Sequence, residues 1–414
     1  MNLVNFELQS WLSHIERLHS KQIDMGLARV EKIAKKLNLK QFLCPVIVVG
    51  GTNGKGSVVT ALENIYAAAG YQTGVYMSPH LLKFNERIRI NQLDISDEKL
   101  IAAFETIESA RENNSLSFFE FTTLSALVLF QQANLDILIL EIGLGGRLDA
   151  VNIVENDVAI VTSIDFDHMD YLGNTLDEIA YEKASIARKN KWLICGEKNP
   201  PKTVFEVVQH KKSRLVLFDK DFDDDIFENK VLNIKSQNAA IAVKAVDCLQ
   251  NRLPVSDDVI MTAILKTKLP GRFEKMDTPF PMILDVAHNP HASKWLAQQY
   301  QKLPVKKSAA LVGMLKDKQI PETIEPLLPL IENWYVTKLS AERGSDGTII
   351  AEFLKTRGIK NCYTFGSVEE ALNAMHTAHD QNEWDRALIF GSFYTVAETK
   401  NWVIKLGENQ WKKE

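Results

Sequence analysis

Short unbroken apolar runs recur along the chain, each followed by glycines or acids and then by a stretch with apolar positions three and four apart. Residues 45–49 are such a run, and 73–77, 136–140 and 157–164 are predominantly apolar stretches read as strands, too short for helices, the last two buried. Helical spacing fills the gaps: residues 5–20 and 27–38 ahead of the first strand, 58–70 behind it, and 121–132 ahead of the third. Ser96 opens another helix with Asp97 and Glu98 in its first turn, and Thr175 with Glu178 forms a capping box. Two further helices are predicted at 237–253 and 256–268. After PGRFEKMDTPFP, strands at 282–286, 309–313, 334–337, 361–364 and 387–390 alternate with helices, one of them capped by Ser367 and Glu370. The alternation predicts two open, largely parallel α/β sheets, whose ligands gather beyond the carboxyl ends of the strands. Between 196 and 236 the pattern weakens around an acidic run at 219–225, which predicts a solvated loop or small hairpin without chemistry.

With 414 residues, 45% of them hydrophobic, the chain is too long for one core. Two domains are predicted, 1–272 and 282–414, joined by a linker at 273–281 where prolines and turn residues cluster. Forty-eight basic residues against 53 acidic ones leave a net charge of -5, so nucleic acid is excluded as the main partner. Cys44, Cys195, Cys248 and Cys362 form no pair or metal-spaced cluster, which fits a reduced, cytoplasmic protein. The start has no basic head before an apolar run, and no stretch of about 18 apolar residues occurs, so neither secretion nor membrane insertion is expected.

The polar motifs fall at the predicted strand ends. GGTNGKGS at 50–57 lies between strand and helix and resembles a P-loop, although Gly56 separates Lys55 from Ser57. Glycines let backbone amides close on a phosphate, the helix start adds its dipole, Lys55 a charge and Ser57 a hydroxyl for Mg2+. A plain glycine-rich turn is the alternative; ATP is the expected ligand. Glu141 ends a buried strand, either serving a cation or pairing with Arg147. His168 stands among Asp165, Asp167 and Asp170, either a metal ligand or a histidine held by aspartates. Residue chemistry alone makes Lys183 an ordinary helix lysine. Asp285 and His288, in DVAHNP, and Ser392, in GSFY, follow strands of the second domain; a turn built on Asn289-Pro290 is the alternative for the former.

GTNGKGS, SPHL with ERIRI downstream, FFEF, LEIGLGGRLDA, SIDFDHMDYLG, EKASIA, LPGRFE, DVAHNPHA and FGSFY occur in one order over about residues 11–398. Together they resemble the folylpolyglutamate synthases and dihydrofolate synthases of the ATP-dependent Mur ligase superfamily. The resemblance implies an N-terminal P-loop ATPase domain of Mur-ligase type, a C-terminal Rossmann-like glutamate-binding domain, and a monomer. It assigns Lys55, Gly56, Ser57 and Val58 to the ATP phosphates, with Asn238, Arg272 and Asp285 also on ATP. Ser57, Glu141 and His168 become the Mg2+ ligands, and Lys183 the lysine that is N-carboxylated. Ser20, Lys21, Gln22 and Ile23, then Ser117, Phe118 and Phe119, then Leu148, Asp149 and Ala150 match segments lining the dihydropteroate site. Asp285, His288 and Ser392 match the region that handles glutamate. Ser185 for the usual glycine of EKAGI, and Val151 for the threonine of LDATN, are departures.

The implied reaction is an ATP-driven amide ligation, because a carboxylate must first be activated before an amine can displace its oxygen. Glutamate would be added to dihydropteroate and to the γ-carboxylate of reduced folates through an acyl phosphate, or, alternatively, to folates alone. A related ligase acting on a nucleotide-linked cell-wall precursor would need a further N-terminal domain ahead of the P-loop at residue 50. A regulatory P-loop ATPase would not need DVAHNP and GSFY.

Overall fold

The computed structural model describes residues 7–21 and 23–411, which divide into two compact units between Thr267 and Lys268. The first unit holds an eight-stranded sheet. In chain order its strands are β1 (Val46–Gly50), β2 (Thr73–Tyr76), β3 (Ile88–Ile90), β4 (Leu93–Asp94), β5 (Ile137–Glu141), β6 (Val158–Val161), β7 (Trp192–Cys195) and β8 (Arg214–Leu217). In space the order is β4-β3-β2-β5-β1-β6-β7-β8, parallel except for the β3–β4 edge. Alternate residues of the central strands feed different cores: Val46, Val48, Leu138 and Leu140 one, Ile47, Val49, Ile137 and Ile139 the other. Burial on both faces is why these strands read as unbroken apolar runs.

The second unit adds β9 (Glu274–Met276), β10 (Met282–Asp285), β11 (Ser308–Val312), β12 (Asn333–Thr337), β13 (Cys362–Phe365) and β14 (Arg386–Phe390), ordered β13-β12-β11-β14-β10-β9. All run parallel except β9, which pairs antiparallel with β10. The segment expected as a linker therefore carries an edge strand, because Lys275 and Met276 find backbone partners in Ile283 and Met282.

Two other expectations change. Residues 196–236 are not a solvated loop: the helix Lys202–Lys211 packs there and β8 extends the parallel sheet. The fourth strand stops at Val161 rather than residue 164, because the hydroxyls of Thr162 and Ser163 turn toward the glycine-rich loop. The capping boxes at Thr175 and at Ser117 are complete, whereas Ser367 caps Glu370 without the reciprocal bond, Glu370 accepting from Gly366 instead. Among the described residues, no helix is long and apolar enough to cross a membrane.

Candidate active site

Parallel pairing sets the ends of β1, β5 and β6 side by side, with Val49 opposite Glu141 and Gly50 opposite Val161. The loop leaving β1 is framed by β6: Thr52 N donates to Ser163 O at 2.8 Å, Asn53 N to Ser163 Oγ at 2.9 Å, and Thr162 Oγ1 to Asn53 O at 2.7 Å. Gly51 (φ 134°) leaves no room for a side chain against Thr162. A Cβ on Gly54 (φ 91°) would sit 2.6 Å from Asn238 Oδ1. Glycine is required at both places by backbone angle and by close approach.

The helix Lys55–Ala68 begins directly after Gly54, so its first amides face the loop. Lys55 Nζ folds over this loop, donating to Gly51 O at 2.9 Å and Thr52 O at 3.2 Å. Ser57 is buried in the first turn. Val58 is in the core and its amide donates to Gly54 O at 3.0 Å, so a phosphate contact there would have to share that donor. Asn238 is buried against Gly54, one position after Gln237, whose side chain holds Gly196 O.

Glu141 is only 4% exposed and accepts from the amide of Ser78 at 3.3 Å. The expected alternative partner, Arg147, is engaged elsewhere. Arg147 instead donates from Nε and Nη2 to Glu182 Oε1 at 3.0 and 2.8 Å and stacks over the Tyr181 ring. His168 adopts a left-handed conformation (φ 51°), its amide donates to Asp167 Oδ1, and its Nε2 lies 3.9 Å from that oxygen. Among the described residues no group of three His, Cys, Asp or Glu side chains converges on one point.

Lys183 is no ordinary surface lysine. It is 3% exposed near the C-terminal end of the helix Leu176–Ala184, and burial, aided by the Lys55 charge, pushes its pKa down to about 7 against the pull of Asp167 and Glu182. Gly146 makes this packing possible, since a Cβ there would press on Glu182 O and lie 3.1 Å from Lys183 Cα.

Residues within or next to the segments matched to dihydropteroate touch the turn after β5. A Cβ on Gly143 would press into the Phe119 ring, and one on Gly145 would be 3.2 Å from Met25 Cε. Phe119 also faces Tyr76 at 6.0 Å, while Arg87 covers Phe118 at 5.6 Å. Ser117 caps the helix Phe118–Gln132. Leu148 is half-buried and Ala150 buried. Asp149 is buried too; its oxygens accept from Leu144 N at 2.8 Å and Val151 N at 2.9 Å, yet burial pushes its pKa up to about 7. Ser20 and Lys21 are exposed and Ile23 half-buried, while Gln22 lies outside the described residues.

In the second unit, both oxygens of buried Asp285 accept backbone amides, from Phe273 and Ala287 at 2.8 Å each, and burial pushes its pKa up. Arg272 stacks on Phe393 at 5.2 Å. His288 Nδ1 lies 2.9 Å from Val286 O; a carbonyl only accepts, so Nδ1 carries the proton. Ser392 is buried, accepts from Thr395 N and shares a hydroxyl contact with Thr395.

A family model described as the Mur ligase middle domain matches residues 49–274, and one described as Mur ligase, glutamate ligase domain, matches residues 271–393. The dihydrofolate synthase/folylpolyglutamate synthase of Escherichia coli (strain K12) is 43% identical over 405 residues, which cover 94% of this chain and 94% of that protein. The chain belongs to the dihydrofolate synthase/folylpolyglutamate synthase family.

Solved structures of this family align along nearly the whole length. E. coli FolC in complex with DHPP and ADP gives a TM-score of 0.90 at 40% identity, covering 97% of this chain and 99% of that one. The bifunctional folylpolyglutamate synthase/dihydrofolate synthase of Yersinia pestis complexed with AMPPNP and Mn ion gives 0.88 at 38% identity, covering 95% and 97%. Both departures from the family motifs are accommodated in this dihydrofolate synthase/folylpolyglutamate synthase family member. Ser185 has ordinary right-handed helical angles and donates its hydroxyl to Tyr181 O at 2.6 Å, so glycine is not needed. Val151 gives Asp149 its amide and turns its side chain into the core.

The site also contains residues that the motif reading passed over. Thr162 and Ser163, which shape the glycine-rich loop, lie inside the stretch expected as strand. Glu182 and Met25 carried no local signal, since their partners are Arg147 and Gly145 far along the chain.

Proposed function

We propose that this enzyme joins the amine of L-glutamate to the carboxylate of dihydropteroate, and to the γ-carboxylate of reduced folates, at the expense of ATP. The observation that carries the reading is the packing of Phe119, at the start of its helix, on Gly143 and of Met25 beside Gly145, both in the turn closed by Asp149, whose carboxyl feels the Lys55 charge. An acceptor held there lies close to a phosphate-binding loop.

Lys55 and the amides after Gly54 supply donors and positive charge for phosphates, while Asn238 lies against that loop as a nucleotide contact. Arg272 and Asp285 are proposed as nucleotide contacts from their match to the family motifs. A divalent cation fits the residues present, because Glu141 ends the strand beside the glycine-rich loop and offers the hard oxygen donor that Mg2+ takes. Ser57, Glu141 and His168 would hold Mg2+, which when bound would neutralise charge on the phosphate oxygens. Lys183, with its pKa near 7, presents neutral amine that can take up carbon dioxide as N6-carboxylysine.

ATP supplies the leaving group: the acceptor carboxylate takes the γ-phosphoryl, and the glutamate amine displaces phosphate from the acyl phosphate. The amine must first lose a proton. In the neutral ring of His288 the unprotonated nitrogen is Nε2, which suits it to accept that proton, with Ser392 proposed nearby for glutamate. The enzyme is proposed to work as a cytoplasmic monomer on small molecules. ADP release by purified protein should require both an acceptor, dihydropteroate or tetrahydrofolate, and glutamate. Release indifferent to both would make the protein a nucleotide-driven switch.

A further inference from the structure

Among the described residues, the loop between the helices Leu8–Glu16 and Ala28–Lys36 contains no helix or strand, and charged side chains hold it. Asp24 is its hub. Its Oδ2 accepts from His19 Nε2 at 3.0 Å and from Arg29 Nη1 at 2.6 Å, while Arg29 Nη2 donates to the Asp24 carbonyl at 2.8 Å. The other ring nitrogen of His19 meets Ser115 Oγ at 3.1 Å. The guanidinium also reaches Glu120, with Nε 3.2 Å from Oε2 and Nη2 3.1 Å from Oε1. Glu120 is 3% exposed and completes the Ser117 capping box, accepting Ser117 N at 2.8 Å.

From this geometry we infer that Arg29 and Asp24 are positioning residues for the acceptor: they fix the 19–25 loop against the start of the helix Phe118–Gln132. The inference rests on the reading above, in which these two segments are walls of the pterin subsite. A planar fork can satisfy two carboxylates and a carbonyl together, which a lysine, a point charge on a flexible stem, cannot. Without the tether the loop must be ordered each time an acceptor binds. The apparent affinity then falls by the fraction of time the loop is competent. The phosphate-binding loop has its own frame in Thr162 and Ser163, so the ATP side is spared.

The test uses the full-length enzyme with Asp24→Asn, Arg29→Lys and Arg29→Ala. KM for dihydropteroate and for a tetrahydrofolate should rise about tenfold in Asp24→Asn and further in Arg29→Ala, with KM for ATP and kcat at saturating acceptor within about twofold. Arg29→Lys should recover part of the loss, and added guanidinium ion should lower the acceptor KM of Arg29→Ala. Unchanged acceptor KM overturns the inference, as do kcat and every KM worsening together with a falling Tm. Should Arg29→Ala not fold, the near-isosteric Asp24→Asn decides on the same readout. A wild-type enzyme that uses neither acceptor sinks the pterin reading itself; variants that match a competent wild type sink only the tether.

Discussion

Methionine in place of Lys183 removes a buried charge whose free-energy cost follows from its titration. The amine's pKa drops from 10.5 to about 7 in the folded protein, and that difference, at about 1.4 kcal/mol per pH unit, is on the order of 5 kcal/mol. Below about pH 7 both folded and unfolded chains are protonated here, and the whole penalty is present. Between about 7 and 10.5 the unfolded chain binds the extra proton, so stability climbs with pH and the penalty is gone above that window. Methionine carries no charge in either state. The difference in unfolding free energy between wild type and Lys183→Met, from urea melts in metal-free, carbon-dioxide-free buffer, should therefore move by several kcal/mol between about pH 6 and 10, in favour of wild type as pH rises. At about pH 8 the same amine is roughly nine-tenths neutral, against well under 1% for an ordinary lysine. Bicarbonate labelled with 13C should then give a carbamate signal in wild type and none in the variant. A flat difference across that range, with no carbamate, would refute the argument that burial readies this nitrogen.

Three further outcomes are expected. Lys55→Ala should cut ATP-dependent glutamate addition by about a thousandfold with an unchanged circular dichroism spectrum, and retained turnover would remove Lys55 from the phosphate site. Gly143→Ala drives a methyl into the Phe119 ring, so the acceptor KM should rise about tenfold in steady-state assays while the ATP KM holds. His288→Ala should raise the KM for glutamate more than that for ATP, and equal losses would mark a histidine that only supports its turn.

How much could be read in advance depended on burial. Strands covered on both faces, such as Val46–Gly50 and Ile137–Glu141, announced themselves as apolar runs, and the polar residues at their ends marked the site edge. The helix Lys202–Lys211 buries only Val204 and Val207, and β8 is an edge strand starting on exposed Arg214, so neither left a pattern above its polar surroundings. Chemical types were legible where partners were not. Glu141 could be named from its place at a strand end and Lys183 only through the family resemblance, while the burial that depresses the Lys183 pKa, and the choice of Glu182 by Arg147, depend on segments that meet only in the fold.

The grip of Arg147 on Glu182, by main chain at 2.8 Å and by guanidinium, joins the strand-end turn bearing Asp149 to the helix bearing Lys183 as one block. If the turn lines the acceptor as proposed, engineering it to admit a bulkier heterocycle would disturb the basicity of a nitrogen on a separate helix. Libraries built on that proposal for altered pterin selectivity should be screened for carbon dioxide uptake alongside product formation.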